Sequence, residues 1–113
     1  MSILADLQKT LKPLKIPIET GVFSGVPTDE YIVLTPLGDS FELNADDFPE
    51  YDRQEIRISL FSKGNYLKRK KELVKALFKA DFTITDKRYI GHEDDTGFHN
   101  YAIDVEKIYE MEE

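Results

Sequence analysis

The sequence predicts an α+β domain: a mostly antiparallel sheet of about four strands, with an N-terminal helix and a central basic helix packed on it. Three observations lead there. The stretch from Arg53 to Phe61 alternates apolar and polar residues with the period of a half-buried strand. Asn65 to Ala80 carries apolar residues at helical spacing, opposite a face loaded with Lys and Arg. Phe82 to Ile90 and Phe98 to Tyr109 read as two strands joined by a turn bounded by glycines, the pattern of an antiparallel hairpin.

The elements follow in order. Ile3, Leu4, Leu7 and Leu11 share one face of a short helix over Ser2–Leu11, with Ser2 as its cap. Pro13 ends it, because proline lacks the donor that the next turn requires. Ile16 to Phe23 is short and extended, and Gly21, Gly25 and Pro27 mark a loop. No GK[ST] follows these glycines, so they are turn formers and not a phosphate cradle. Glu30 to Leu34 (EYIVL) is aromatic and β-branched, hence a strand. Gly38 to Asp52 is predicted to be a long loop between strands, acidic through Asp39, Glu42, Asp46, Asp47, Glu50 and Asp52. In the next strand Ile56, Ile58 and Leu60 point to the core while Glu55, Arg57 and Ser59 point away. The helix that follows is expected to bury Tyr66, Leu67, Leu73, Val74, Leu77 and Phe78, and to expose Lys68, Arg69, Lys71, Glu72, Lys75 and Lys79. Lys70 lies near the stripe, where a long side chain can keep its charge in water.

The chain has 113 residues, enough for one domain spanning 1–113 and too few for two. Apolar residues make up 41% and charged residues 33%, a balance that supports a core beneath a heavily charged surface. The net charge of -7 opposes general binding to nucleic acid phosphates, which depends on excess Lys and Arg, and no specific nucleic-acid recognition is expected. The absence of cysteine excludes disulfides, thiolate metal sites and cysteine nucleophiles. No apolar run resembles a signal peptide or approaches the roughly 20 residues of a membrane span, so a cytoplasmic protein with no membrane partner is expected.

Three charged clusters are candidates for function. The hairpin tip holds His92, Glu93, Asp94 and Asp95, with His99 beyond. Imidazole and carboxylate can ligate a metal, but neither a calcium-loop pattern nor an HExxH helix is present, and a solvated turn or a protein contact accounts for the cluster. The acidic stretch around Asp46 and Asp47 has no sign of the dry pocket that acid–base catalysis needs, and it reads as a solvated loop. The basic helix face (Lys68, Arg69, Lys71, Lys75, Lys79) reads as a solvated face or as one half of a charge-complementary contact. Separated patches of opposite sign suit head-to-tail association, in which one copy's acidic segment meets the next copy's basic helix. No nucleophile elbow, metal motif or cofactor-binding pattern occurs, so neither catalysis nor a cofactor is expected.

The order YIVLTPLGDS (Tyr31 to Ser40), ADD (Ala45 to Asp47), RISLFSKGNY (Arg57 to Tyr66), basic helix and RYIGHEDDTGFHNYAIDVE (Arg88 to Glu106) resembles the small tail-terminator, or tail-completion, proteins of siphophages and prophages of Gram-positive bacteria. The likeness covers roughly three quarters of the chain and rests on order, spacing and character. It implies helices against a mostly antiparallel sheet. It also implies a non-enzymatic ring, commonly a hexamer, on the head-proximal end of the tail tube, which stops tube growth and receives the head connector or stopper. The implied partners are other copies of the chain, the tube protein and the connector; the implied location is the host cytoplasm during assembly and then the virion tail. By the same analogy Asp39, Glu42, Asp46, Asp47, Glu50, the basic helix and the tip residues are interface candidates. A head-closure or stopper protein, or a small adaptor domain that binds another protein, fits the same features.

Overall fold

The computed structural model describes residues 2–21, 29–43 and 49–110. Two helices and five strands run in the order α1 (Ile3–Leu11), β1 (Ile18–Thr20), β2 (Glu30–Leu43), β3 (Pro49–Ser62), α2 (Tyr66–Lys79), β4 (Thr83–His92) and β5 (His99–Glu110). The strands form one sheet in the order β1-β2-β3-β5-β4. Every neighbouring pair is antiparallel except β1 with β2, which is parallel over Ile18–Thr20 against Ile32–Leu34. The fold is therefore α+β as the sequence predicts, with β1 as a fifth strand. β3 and β4 both run antiparallel to β5, so the β3–α2–β4 connection crosses over β5, a split β-α-β arrangement.

One sheet face carries both helices and the core. Cross-strand pairs stack apolar side chains in rows: Ile32 with Leu60 and Tyr101, Leu34 with Ile58 and Ile103, and Ile56 with Val105. Leu7 and Leu11 of α1 and Leu73 and Leu77 of α2 close over them, all completely buried. Burial of one such side chain contributes roughly 1.5–3 kcal/mol. Hydrogen bonds fix the layers. The Ile3 backbone N–H donates to Gln54 Oε1 at 3.0 Å, and the Tyr109 hydroxyl donates to Asp6 Oδ2 at 2.6 Å. Lys107 Nζ donates to the Ala80 carbonyl at 3.0 Å while its ammonium lies over the Phe82 ring.

The helices begin and end for local reasons. Asn65 caps α2 by accepting the Lys68 backbone N–H at 3.2 Å. The chain then reverses at Asp81, in the left-handed region at φ 64°. Ser2 stands at the N-cap of α1 but makes no side-chain cap bond, contrary to the role expected for it. A 3-10 turn over Lys12–Leu14 containing Pro13 ends α1. The α2 stripe is narrower than its sequence implies. Leu67 is 52% exposed and Phe78 is 66% exposed, because both project past the sheet-facing arc defined by Leu73 and Leu77. Lys70 reaches over the Tyr101 ring at 5.0 Å, with its charge kept at the surface.

The largest departure from the sequence reading is the segment expected to be a long loop, Gly38–Asp52. Its described residues are strand: β2 runs without a break from Glu30 to Leu43, and β3 starts at Pro49. Register shifts between Pro36 and Gly38, and between Glu42 and Leu43, bend the ladder without ending it. Each 14-residue strand spans about 45 Å at the usual rise. β5 makes its last pairing, Glu110, opposite Tyr51, and beyond it the described ladder of β2 and β3 ends with Leu43 opposite Pro49. The molecule measures 54 × 24 × 23 Å, with a radius of gyration of 15.5 Å. A compact chain of this length has about 13 Å.

The sheet face without helices is polar and aromatic. Arg57 Nε and Nη2 grip Asp104 Oδ1 and Oδ2 at 2.8 and 3.1 Å, a bidentate cross-strand pair. Tyr31 stacks on Phe61 with ring centroids 4.6 Å apart, and both meet Phe98 edge-on. At the sheet edge, β4 is interrupted by register shifts between Ile84 and Asp86 and between Tyr89 and Gly91, and it carries Lys87 and Arg88. Bulges and charge are devices that blunt an open strand edge. Among the described residues, no helix is long and apolar enough to cross a membrane.

Candidate functional site

The candidate residues fall at three places. Asp39 and Glu42 lie on the distal part of β2, opposite Gln54 and Tyr51, and Glu50 lies at the start of β3. They belong to strands and not to a loop, and Asp39 and Glu42 lie where β5 still pairs with β3. Asp46 and Asp47 fall outside the described residues. Sequence over Gly38–Asp52 contains six carboxylates and no Lys or Arg, so this stretch of the sequence is uniformly acidic.

The basic residues sit on α2, in the helix layer. Lys68, Lys71, Lys75 and Lys79 are exposed. Arg69 differs from them. Its Nε lies 2.7 Å from Glu30 Oε2 and its Nη1 3.0 Å from Glu72 Oε2, and the side chain is half-buried. The Glu30 hydrogen bond is the main reason the guanidinium holds its proton more tightly than usual. Arg69 therefore fastens α2 to the start of β2, and the free basic face expected to include it is reduced to lysines.

The tip is a tight turn closed by backbone bonds. Glu93 N–H donates to the Phe98 carbonyl at 2.8 Å, and Gly97 N–H donates to the Glu93 carbonyl at 2.7 Å. Gly97 has φ 80°, a conformation that favours glycine. Asp94 and Asp95 are exposed, and Asp94 Oδ1 is 3.0 Å from His92 Nδ1. His92 and His99 are cross-strand partners with ring centroids 4.7 Å apart. His99 Nδ1 is 2.9 Å from the Tyr89 hydroxyl, and its ring packs beside Tyr66. The two imidazoles thus join an aromatic cluster with Tyr66, Tyr89 and Tyr101. Among the described residues, no three His, Cys, Asp or Glu side chains converge as metal ligands.

A surface that sequence periodicity does not reveal lies between the helices. A groove of about 750 Å³ runs between α1 and α2. Pro13, Leu14, Ala76 and Ala80 form its apolar floor, while Lys9, Lys75, Lys79 and Lys107 stand around it. Two carboxylates also line it. Asp6 is bound to the Tyr109 hydroxyl and Glu72 to Arg69, so both are already engaged. The only hint in the sequence is that Lys9 repeats, on α1, the basic character of α2.

The other groups with displaced proton affinity have structural explanations. Burial first, then the Asp6 carboxylate, pushes the Tyr109 hydroxyl above its usual range. Burial, with a smaller contribution from Glu93, raises Tyr31. The hydrogen bond to Asp104 raises Arg57. All these shifts favour the protonated form of groups that are already protonated at neutral pH. What the arrangement offers is contact chemistry: an acidic stretch at the far end of β2 and β3, a lysine-rimmed groove and a hydrogen-bonded turn.

No protein-family model matches this sequence, and no curated protein is detectably similar to it.

Proposed function

We propose that this chain is a phage structural protein that assembles, by head-to-tail contacts between copies, into a ring on the head-proximal end of a tail tube. The ring ends tube growth and joins tail to head, acting by contact and not by catalysis. The observation that carries this reading is the separation of charge between two layers of one small domain. The acidic sequence of Gly38–Asp52 belongs to the far end of β2 and β3 in the sheet, whereas exposed lysines occupy the helix layer. Unlike surfaces that complement each other make a heterologous contact, which closes into a ring when the rotation between copies permits. The order of sequence motifs that resembles tail-terminator proteins supports the same reading.

The test is tube capping. Purified chain is added to tube protein from the same phage or prophage as the tubes polymerise, and tube lengths and ends are imaged by electron microscopy. The expected result is shorter tubes, each with added density at one end. Unchanged lengths and bare ends would refute the proposal.

A further inference from the structure

We infer that the chain's two histidines, His92 and His99, form a surface site for a borderline divalent cation of the zinc class, which ties β4 to β5 at the base of the hairpin turn. The inference is independent of the ring reading. The two residues are cross-strand partners, with ring centroids 4.7 Å apart and ring planes at 50°. Two imidazoles bound through Nε2 to adjacent positions of one metal have a defined spacing. A metal–nitrogen distance of about 2.0–2.1 Å places the metal roughly 3.2 Å from each ring centre, and an angle of about 90–109° between the ligands then sets the centres roughly 4.5–5.2 Å apart. The spacing of His92 and His99 lies inside that interval.

The other ring nitrogens are engaged as such ligands require. A metal-binding imidazole donates its second N–H to a carboxylate or another oxygen, which fixes the tautomer and aims the ring. His92 Nδ1 lies 3.0 Å from Asp94 Oδ1. An ionised carboxylate only accepts, so this bond puts the proton on Nδ1 and leaves the lone pair on Nε2. His99 Nδ1 lies 2.9 Å from the Tyr89 hydroxyl, whose oxygen can accept the same kind of bond. Among the described residues, neither Nε2 has a hydrogen-bond partner. Glu93, Asp94 and Asp95, all exposed in the turn, add a negative field that favours a cation. Imidazole nitrogen selects zinc, copper or nickel over magnesium and calcium, which prefer oxygen. Water completes the coordination of a metal held by two protein donors on an exposed turn.

Zinc titration of the intact chain tests this. Because the sequence has only two histidines, imidazole nitrogen resonances in NMR spectra report the site directly, without any substitution. Calorimetry is expected to show one zinc bound per chain, with both Nε2 resonances shifting together and saturating at one equivalent. Magnesium at the same concentration is expected to shift neither. His92→Ala and His99→Ala, each first verified as folded by circular dichroism, should each weaken zinc binding about tenfold or more. The double variant Glu93→Gln, Asp95→Asn removes only surface charge and should change zinc binding by less than about threefold. Zinc that shifts one histidine or neither, magnesium that competes with zinc, or binding that survives loss of the imidazoles but not of the two carboxylates overturns the site.

Discussion

Replacing Tyr109 with Phe removes one oxygen, and with it the bond that ties β5 to α1 beside the groove. The Tyr109 hydroxyl donates to Asp6 Oδ2 at 2.6 Å, and the ring is 6% exposed. A hydrogen bond to a charged acceptor contributes about 1.5–3 kcal/mol. Asp6 is partly exposed and has Lys107 Nζ at 4.0 Å, so water and the ammonium can take over, and the lower end applies: about 1.5 kcal/mol. With an unfolding entropy of roughly 240 cal/mol/K for a chain of 113 residues, the midpoint should fall by about 6 °C.

The difference should also depend on pH, with a definite sign. The folded protein holds the Tyr109 proton more tightly than the unfolded chain does. Its stabilisation is therefore complete below the unfolded value of about 10 and is lost as pH rises towards the folded value. Above pH 10 the advantage of wild type should therefore shrink as pH rises. Urea unfolding followed by far-ultraviolet circular dichroism suits a chain without tryptophan. Equal stability at pH 7, or a gap that stays constant from pH 9 to 11, would refute the reasoning.

Two further stability predictions separate residues that look alike in sequence. Leu77→Ala should cost about 2–5 kcal/mol, because the side chain is completely buried, whereas Phe78→Ala should lie within about 0.5 kcal/mol of wild type; thermal melts would show a large shift for the first only. Arg69→Ala should cost about 1 kcal/mol by releasing Glu30 and Glu72, while Lys71→Ala should be nearly neutral. Indistinguishable denaturant midpoints for that pair would contradict the fastening role of Arg69.

The parts of the fold legible in sequence are those where one side faces the core. Ile56, Ile58 and Leu60 alternate because β3 has helices on one face only, and Asn65 to Ala80 marks α2 to within a residue at each end. The distal parts of β2 and β3 were hidden because the carboxylates of Gly38–Asp52, with Gly38 and Pro49, are residues that strands otherwise avoid. The strand state of the described residues comes from pairing between β2 and β3, which a local pattern does not encode. Leu67 and Phe78 show the opposite error: helical spacing gives an apolar arc, and only the position of the sheet decides how much of the arc is covered. The groove belongs to two segments some sixty residues apart in sequence, so only tertiary structure brings Lys9 beside Lys75 and Lys79.

The crossover of β3, α2 and β4 around β5 has a consequence for synthesis on the ribosome. β5 supplies the central rows Tyr101, Ile103 and Val105, and both β3 and β4 take their ladder partners from it. Until residues 99–110 have left the exit tunnel, β4 has no neighbour and the apolar faces of α1 and α2 have only part of a floor. Chains interrupted before that point lack the middle of the sheet and remain open to proteases.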